Sequence, residues 1–351
     1  MGLRMNKTTY RIAIIKWSPS DGISETFYKE FLSLNHKPCF FLYNAKIPNN
    51  VDIVLTYAPY GRLFPFYKQI SEIPKENRPL MIHWHMENPP DLRFPMRFIK
   101  PLSLIRARID RMNDSQHCRI RGLVKLFPFS LINNKALKFR YSGEYHFAYE
   151  RGLLDLLLTS SEIYYEYYQN FVPSIINIPW GTGKGWFDSL NIKRDIDVIW
   201  FGTRRTNRRS KLLDRIRLEL YQNDINLYVA DNIENPFIYG QQRTEFLNRA
   251  NITLNLLPTW YDNAFPYRFH MAAGNRSLVI TEPILPHCSQ YKNEFHYISS
   301  PIDSLSNTIQ YYIENEEERL RITDNAFQLV TKEMTLNNSI RSLLEAVESI
   351  F

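Results

Sequence analysis

Short apolar runs rich in branched and aromatic residues recur along the chain, and amphipathic stretches fill the intervals. In the first half such runs fall at residues 10–17, 39–43, 52–56, 79–86, 153–159 and 175–178. They are too short for helices and lack the strict alternation of a half-exposed strand, so they predict strands buried on both faces, as in a parallel sheet. Helices are expected between them over 24–34, where Ser24 would supply the cap, and over 163–168, capped by 160–162. Residues 59–74, rich in Pro and aromatics, predict a loop and a short helix. Pro89 and Pro90 end the fourth run sharply.

The second half repeats the rhythm. Strands are predicted at 197–201, 226–230, 252–257 and 278–281, and helices at 204–220, 243–250, 304–313, 316–331 and 336–350. Strand and helix alternate throughout, which predicts an α/β chain of Rossmann-like units with ligands outside the carboxyl ends of the strands. Length adds that 351 residues exceed what a single core usually supports, so two domains are expected. The boundaries read 1–178, a hinge at 179–194 marked by Gly181, Gly183 and Gly185, then 195–335, and a terminal helix at 336–351.

Chemistry concentrates at two strand tips. The strand at 197–201 breaks at Gly202-Thr203 and re-emerges as an Arg-rich helix. A turn of that kind offers backbone N–H groups and a positive helix end, and Arg204, Arg205, Arg208, Arg209 and Lys211 add cations suited to phosphate oxygens. In the first half, the strand ending at residue 86 brings His83, His85 and Glu87 together. That tip reads either as acid/base chemistry or, for the imidazoles, as satisfied structural groups.

Charge changes the picture in one place. Twelve cations and two acids between Arg93 and Arg140 give that segment a net +10, while the whole chain carries +7. Interleaved aromatics and aliphatics make an anionic membrane surface or acceptor a fitting partner and nucleic acid a less fitting one, with an ordinary solvated face as the bland alternative. Cys39, Cys118 and Cys288 are far apart and match no disulfide framework or metal-ligand spacing. With neither a signal-peptide core nor a run of about 20 apolar residues, a cytoplasmic chain, soluble or peripheral at the inner face of the membrane, is expected. No G-x-G-x-x-G follows the first strand, which disfavours a dinucleotide-dependent oxidoreductase.

Residues 197–211, the 268–282 block and the tail from 302 to 347 resemble the C-terminal half of GT-B glycosyltransferases, in particular the spore-maturation-type group of glycosyl transferase family 1/4-like proteins. The resemblance implies two Rossmann-like domains facing each other across a cleft, a last helix crossing back to the first domain, and a nucleotide-sugar donor. It places the diphosphate against Gly202, Thr203, Arg205 and Arg208, with Arg268 on the other wall and His270 and Asn275 in the donor-binding block. His270 stands where the family usually has the Glu that holds ribose or sugar, which favours an inverting reaction over a retaining one. Residues 81–95 and Ser24-Glu25-Thr26 also resemble, more distantly, phage DNA β-glucosyltransferases. Carried over, Glu87 becomes the catalytic base and Glu25 a ligand or acceptor contact; His83 and His85, at the same strand tip as Glu87, are read as further acceptor or ligand contacts. No cofactor and no obligatory metal are implied. The leading expectation is sugar transfer to a glycan, glycolipid or other cell-envelope acceptor. A DNA-modifying glucosyltransferase and a non-catalytic sugar-nucleotide or glycan-binding relative are the alternatives.

Overall fold

A computed structural model describes residues 8–18, 21–43, 45–57, 64–86, 92–93, 95–114, 129–204, 206–259, 265–285 and 289–350. The chain divides into two compact units, Met1–Ile178 with Val347–Phe351, and Pro179–Ala346.

The first unit carries strands β1 (Arg11–Lys16), β2 (Lys37–Leu42), β3 (Ile53–Tyr57), β4 (Leu80–Trp84), β5 (Leu156–Thr159) and β6 (Ile175–Asn177). They form one parallel sheet in the order β2-β1-β3-β4-β5-β6. Every residue of β3, β4 and β5 is buried, so unbroken apolar runs rather than alternation encode them. Helix α1 (Gly22–Ser33) starts two residues before the expected Ser24. Asp21 caps it, accepting from the backbone N–H of Ile23 and Ser24. Helices α2 (Phe64–Glu72), α3 (Met96–Asp114), α4 (Phe129–Glu150) and α5 (Glu162–Tyr168) complete the unit.

The basic segment thus contains two helices. α3 and α4 pack closely, and a Cβ on Gly143 would lie 2.0 Å from the carbonyl oxygen of Ser103. Only a residue without a side chain lets the backbones approach that far.

The second unit carries β7 (Ile196–Phe201), β8 (Leu227–Ala230), β9 (Ala250–Asn255), β10 (Leu278–Thr281) and the short β11 (Ile298–Ser299), parallel in the order β11-β10-β9-β7-β8. Its helices are α6 (Asn207–Tyr221), α7 (Gly240–Arg249), α8 (Phe265–Gly274), α9 (Leu305–Glu314), α10 (Glu316–Gln328) and α11 (Leu336–Ile350), with a π-helical turn at Leu329–Glu333. One core gathers Val198 and Trp200 with Leu213, Ile216, Leu305 and Ile322. The other gathers Ile199 with Phe265, Phe269, Ala272 and Leu329, as successive strand residues point to opposite faces.

Both sheets share one winding. In each, the first strand lies between the second and the third, so the strand order reverses beside the first strand. In open parallel sheets a crevice forms at that reversal, outside the carboxyl ends of the strands. For the second unit it lies between the ends of β7 and β9.

Candidate nucleotide-binding site in the second unit

Gly202 follows β7 with φ +134°, a conformation side chains rarely adopt, and an added Cβ would lie 3.2 Å from Nη2 of Arg268. Arg268 comes from α8, lies buried, and ties the two strands at the reversal. Its Nη2 donates to the Phe201 carbonyl at 3.1 Å and its Nη1 donates to Oδ1 of Asn255. The backbone conformation calls for glycine at this turn, and a side chain there would also crowd the guanidinium.

Above this turn is a pocket of about 330 Å³ lined by Phe201, Gly202, Thr203, Phe237, Ile238, Tyr239, Arg243, Tyr267, Arg268 and Met271. Aromatic walls with two guanidinium groups suit a flat heterocycle attached to an anion. Tyr239 is the N-cap residue of α7 and makes no side-chain cap, so the positive end of α7 stands at the pocket rim. Arg243, from the first turn of α7, is half-buried, its Nε has no hydrogen-bond partner among the described residues, and burial lowers its pKa. A buried N–H left without an acceptor is costly unless a ligand supplies one.

The structure redistributes the other expected donor contacts. The Gly202 N–H donates to the Ala230 carbonyl at 3.0 Å, so it is spent within the sheet. Thr203 is exposed, and its carbonyl accepts from Nη1 of Arg209 at 2.8 Å. α6 begins at Asn207 rather than Arg204, with Thr206 as the cap. Arg204 instead clamps Asp214 and Asp231, each at 2.6 Å, and Glu234. Arg208 is bound to the buried Glu282 and donates to the Leu257 carbonyl at 2.9 Å. Its charge is neutralised by a carboxylate, and its task is to hold the end of β9. Arg205 lies outside the described residues.

His270 and Asn275 lie in the interior of the second unit. Nδ1 of His270 meets the Thr182 hydroxyl at 2.6 Å and Nε2 meets the Tyr291 hydroxyl at 2.8 Å, and burial lowers the ring's pKa to about 3. With both nitrogens engaged and no exposure, the imidazole is held as a neutral internal pin. Asn275 is likewise buried, donating to the carbonyls of Trp186 at 3.0 Å and Met271 at 2.7 Å, while its Oδ1 accepts from Asn248 at 2.8 Å and the Asp188 N–H at 3.2 Å. Both residues fasten the strap that follows Pro179, the segment read from sequence as a hinge. Thr182 also pairs with Met334 and Leu336, and Ser339 with the Pro179 carbonyl.

In the first unit, Glu87 lies outside the described residues. His83 and His85 are buried and joined through Tyr145, whose hydroxyl lies 2.9 Å from Nε2 of His83 and 2.9 Å from Nδ1 of His85. The Thr56 hydroxyl donates to the Ile82 carbonyl at 3.2 Å and therefore accepts from Nδ1–H of His83. The rest of the chain follows: Tyr145 donates to His83, and Nδ1–H of His85 donates to Tyr145. Burial lowers the His83 pKa, with the neighbouring His85 adding to the effect. Glu25 is engaged by Lys16 of β1.

Sequence reasoning missed Phe237, Tyr239, Arg243 and Tyr267. The available signal was a Phe-Ile-Tyr triplet in the loop before α7 with an arginine one helical turn beyond it. Among the described residues no group of three or more His, Cys, Asp or Glu is placed to hold a metal ion.

Two doubly wound parallel sheets, with a guanidinium-and-aromatic pocket at the reversal of the second, define a GT-B glycosyltransferase fold. Residues 204–345 match the family model described as "Glycosyl transferase-like". No curated protein sequence matches it. Among solved structures, HepE from Anabaena, in complex with UDP and glucose, aligns at TM-score 0.58 and 10% identity over 97% of this chain and 100% of its own. WaaG, a glycosyltransferase involved in lipopolysaccharide biosynthesis, aligns at 0.58 and 11% identity over 95% of this chain and 99% of its own. A mutant of S. aureus TarM, in complex with Fondaparinux, alpha-GlcNAc-glycerol and UDP, aligns at 0.56 and 10% identity over 84% of this chain. The present chain spans 55% of that one.

Proposed function

We propose that the chain transfers a sugar from a nucleotide-sugar donor to a glycan, glycolipid or other cell-envelope acceptor, with inversion and without an obligatory metal. The observation that carries this is the aromatic pocket at the end of β7, with Arg268 at the turn and an Arg243 Nε that has no acceptor among the described residues. The base would lie among Phe237, Tyr239 and Tyr267, and the diphosphate against the two guanidinium groups. In the reaction an acceptor oxygen bonds to the anomeric carbon while the bond from that carbon to the diphosphate breaks. The departing oxygen keeps the electron pair, and Glu87 takes the acceptor proton. Cations fixed in a partly dry pocket stabilise the charge that develops on the leaving group. HepE and TarM were each solved with UDP, which makes UDP-sugars the first donors to test.

Calorimetry against UDP-, GDP-, dTDP- and CMP-sugars is expected to give one donor class whose binding persists in EDTA. Arg243→Ala should weaken that binding by about tenfold or more, as loss of a charge-assisted hydrogen bond does, with the melting temperature unchanged. Absence of binding to all four classes would remove the donor assignment. Requirement for a divalent ion would remove metal independence alone.

A further inference from the structure

We infer that the outer face of α3 is a docking surface for an anionic lipid bilayer. One face of this helix, through Ile99, Ser103 and Ala107, is buried. On another, Phe98, Leu102, Ile105 and Ile109 are 51%, 48%, 57% and 40% exposed. The four recur at the i, i+4, i+7, i+11 spacing of one helix line, which runs about 16 Å along the axis. Single exposed aliphatics are ordinary on a protein surface, but an unbroken line of four large ones is not.

Charge selects the occupant. At 100° per residue, Arg97 and Arg108 flank the line on one side and Arg106 on the other. The Arg97 guanidinium lies 4.9 Å from the Phe98 ring centre. α3 carries Arg97, Lys100, Arg106, Arg108 and Arg111 against Asp110 and Asp114. An apolar line between arginines matches the boundary between acyl chains and anionic headgroups, with the helix lying in the membrane plane. No helix among the described residues is long and apolar enough to cross a membrane. A nucleic-acid backbone would use the cations and leave four apolar side chains idle. A second copy docked on the same face would bring two net-positive helices together. Combined with the proposed transfer, the surface favours a lipid-linked acceptor. Vesicle binding needs no donor, so failure of the surface and failure of the donor site are read separately.

The test is co-sedimentation of the full chain with phosphatidylcholine vesicles with and without phosphatidylglycerol, at rising salt. Wild type is expected to partition preferentially onto anionic vesicles and to leave them as salt rises. Leu102→Ser with Ile105→Ser and Ile109→Ser should weaken partitioning by at least about tenfold, and Arg97→Glu with Arg108→Glu by at least as much. Both variants change exposed side chains and should keep the wild-type melting temperature. Equal binding to neutral and anionic vesicles, or variants that bind as wild type does, overturns the inference. It also falls if wild type binds duplex DNA instead, unaffected by the serine substitutions, or if those substitutions dissolve a dimer and leave vesicle binding unchanged.

Discussion

His270 shows how far a side chain's identity falls short of its role. Its position in the 268–282 block suggested a donor contact, yet its nitrogens meet the hydroxyls of Thr182 and Tyr291 in the interior. The first of these partners lies 88 residues away, and no local pattern encodes such a pairing. The same holds for the arginines after Gly202. Their number was legible, but the acids that claim them, Asp231 and Glu282, lie 27 and 74 residues distant in the chain. Because burial holds the His270 pKa near 3, below its ordinary 6.5, the unfolded chain takes up the proton first on acidification. The stabilisation is complete above pH 6.5 and is lost as pH falls toward 3, by up to about 1.4 kcal/mol per pH unit. Urea midpoints at pH 7 and pH 5 should show this loss in wild type and a smaller one in His270→Gln. Equal losses would mean that the ring titrates normally.

Secondary elements were more legible than contacts because burial on both faces leaves a mark that does not depend on distant partners. β3, β4 and β10 are apolar almost throughout and lie within two residues of their expected limits. β11 escaped notice because two residues carry no period. α3 and α4 were hidden by their charge, since a basic, aromatic-studded segment reads as surface before it reads as a helical pair. What joins them is Gly143, and the position tests their packing. Gly143→Val places a side chain where the Ser103 backbone already lies, so the helices must part. A cost of about 3 kcal/mol, the upper range for overpacking, is expected and would be measured as a lower urea midpoint. An unchanged midpoint would mean that the helices do not approach at this residue. The melting temperature of Gly143→Ala should fall between those of wild type and Gly143→Val.

Across the whole chain, two sheets with the same reversal beside their first strand raise the question of which crevice holds the donor. In the first unit Thr56 of β3, His83 of β4, Tyr145 of α4 and His85 form a buried hydrogen-bonded network. In the second, Gly202, Arg243 and Arg268 open onto a pocket, and all its lining residues fall within Pro179–Ala346. Ligand that binds the folded state adds stability to the unit that holds it, about 2.7 kcal/mol at a hundredfold excess over Kd. Hydrogen exchange with and without the donor found by calorimetry should therefore slow most in β7, β9 and α8, where Arg268 links Phe201 to Asn255. The amides of β1 to β5 should slow less. Protection concentrated in the first sheet would assign the donor to the other crevice and leave the buried Arg243 Nε without the acceptor proposed for it.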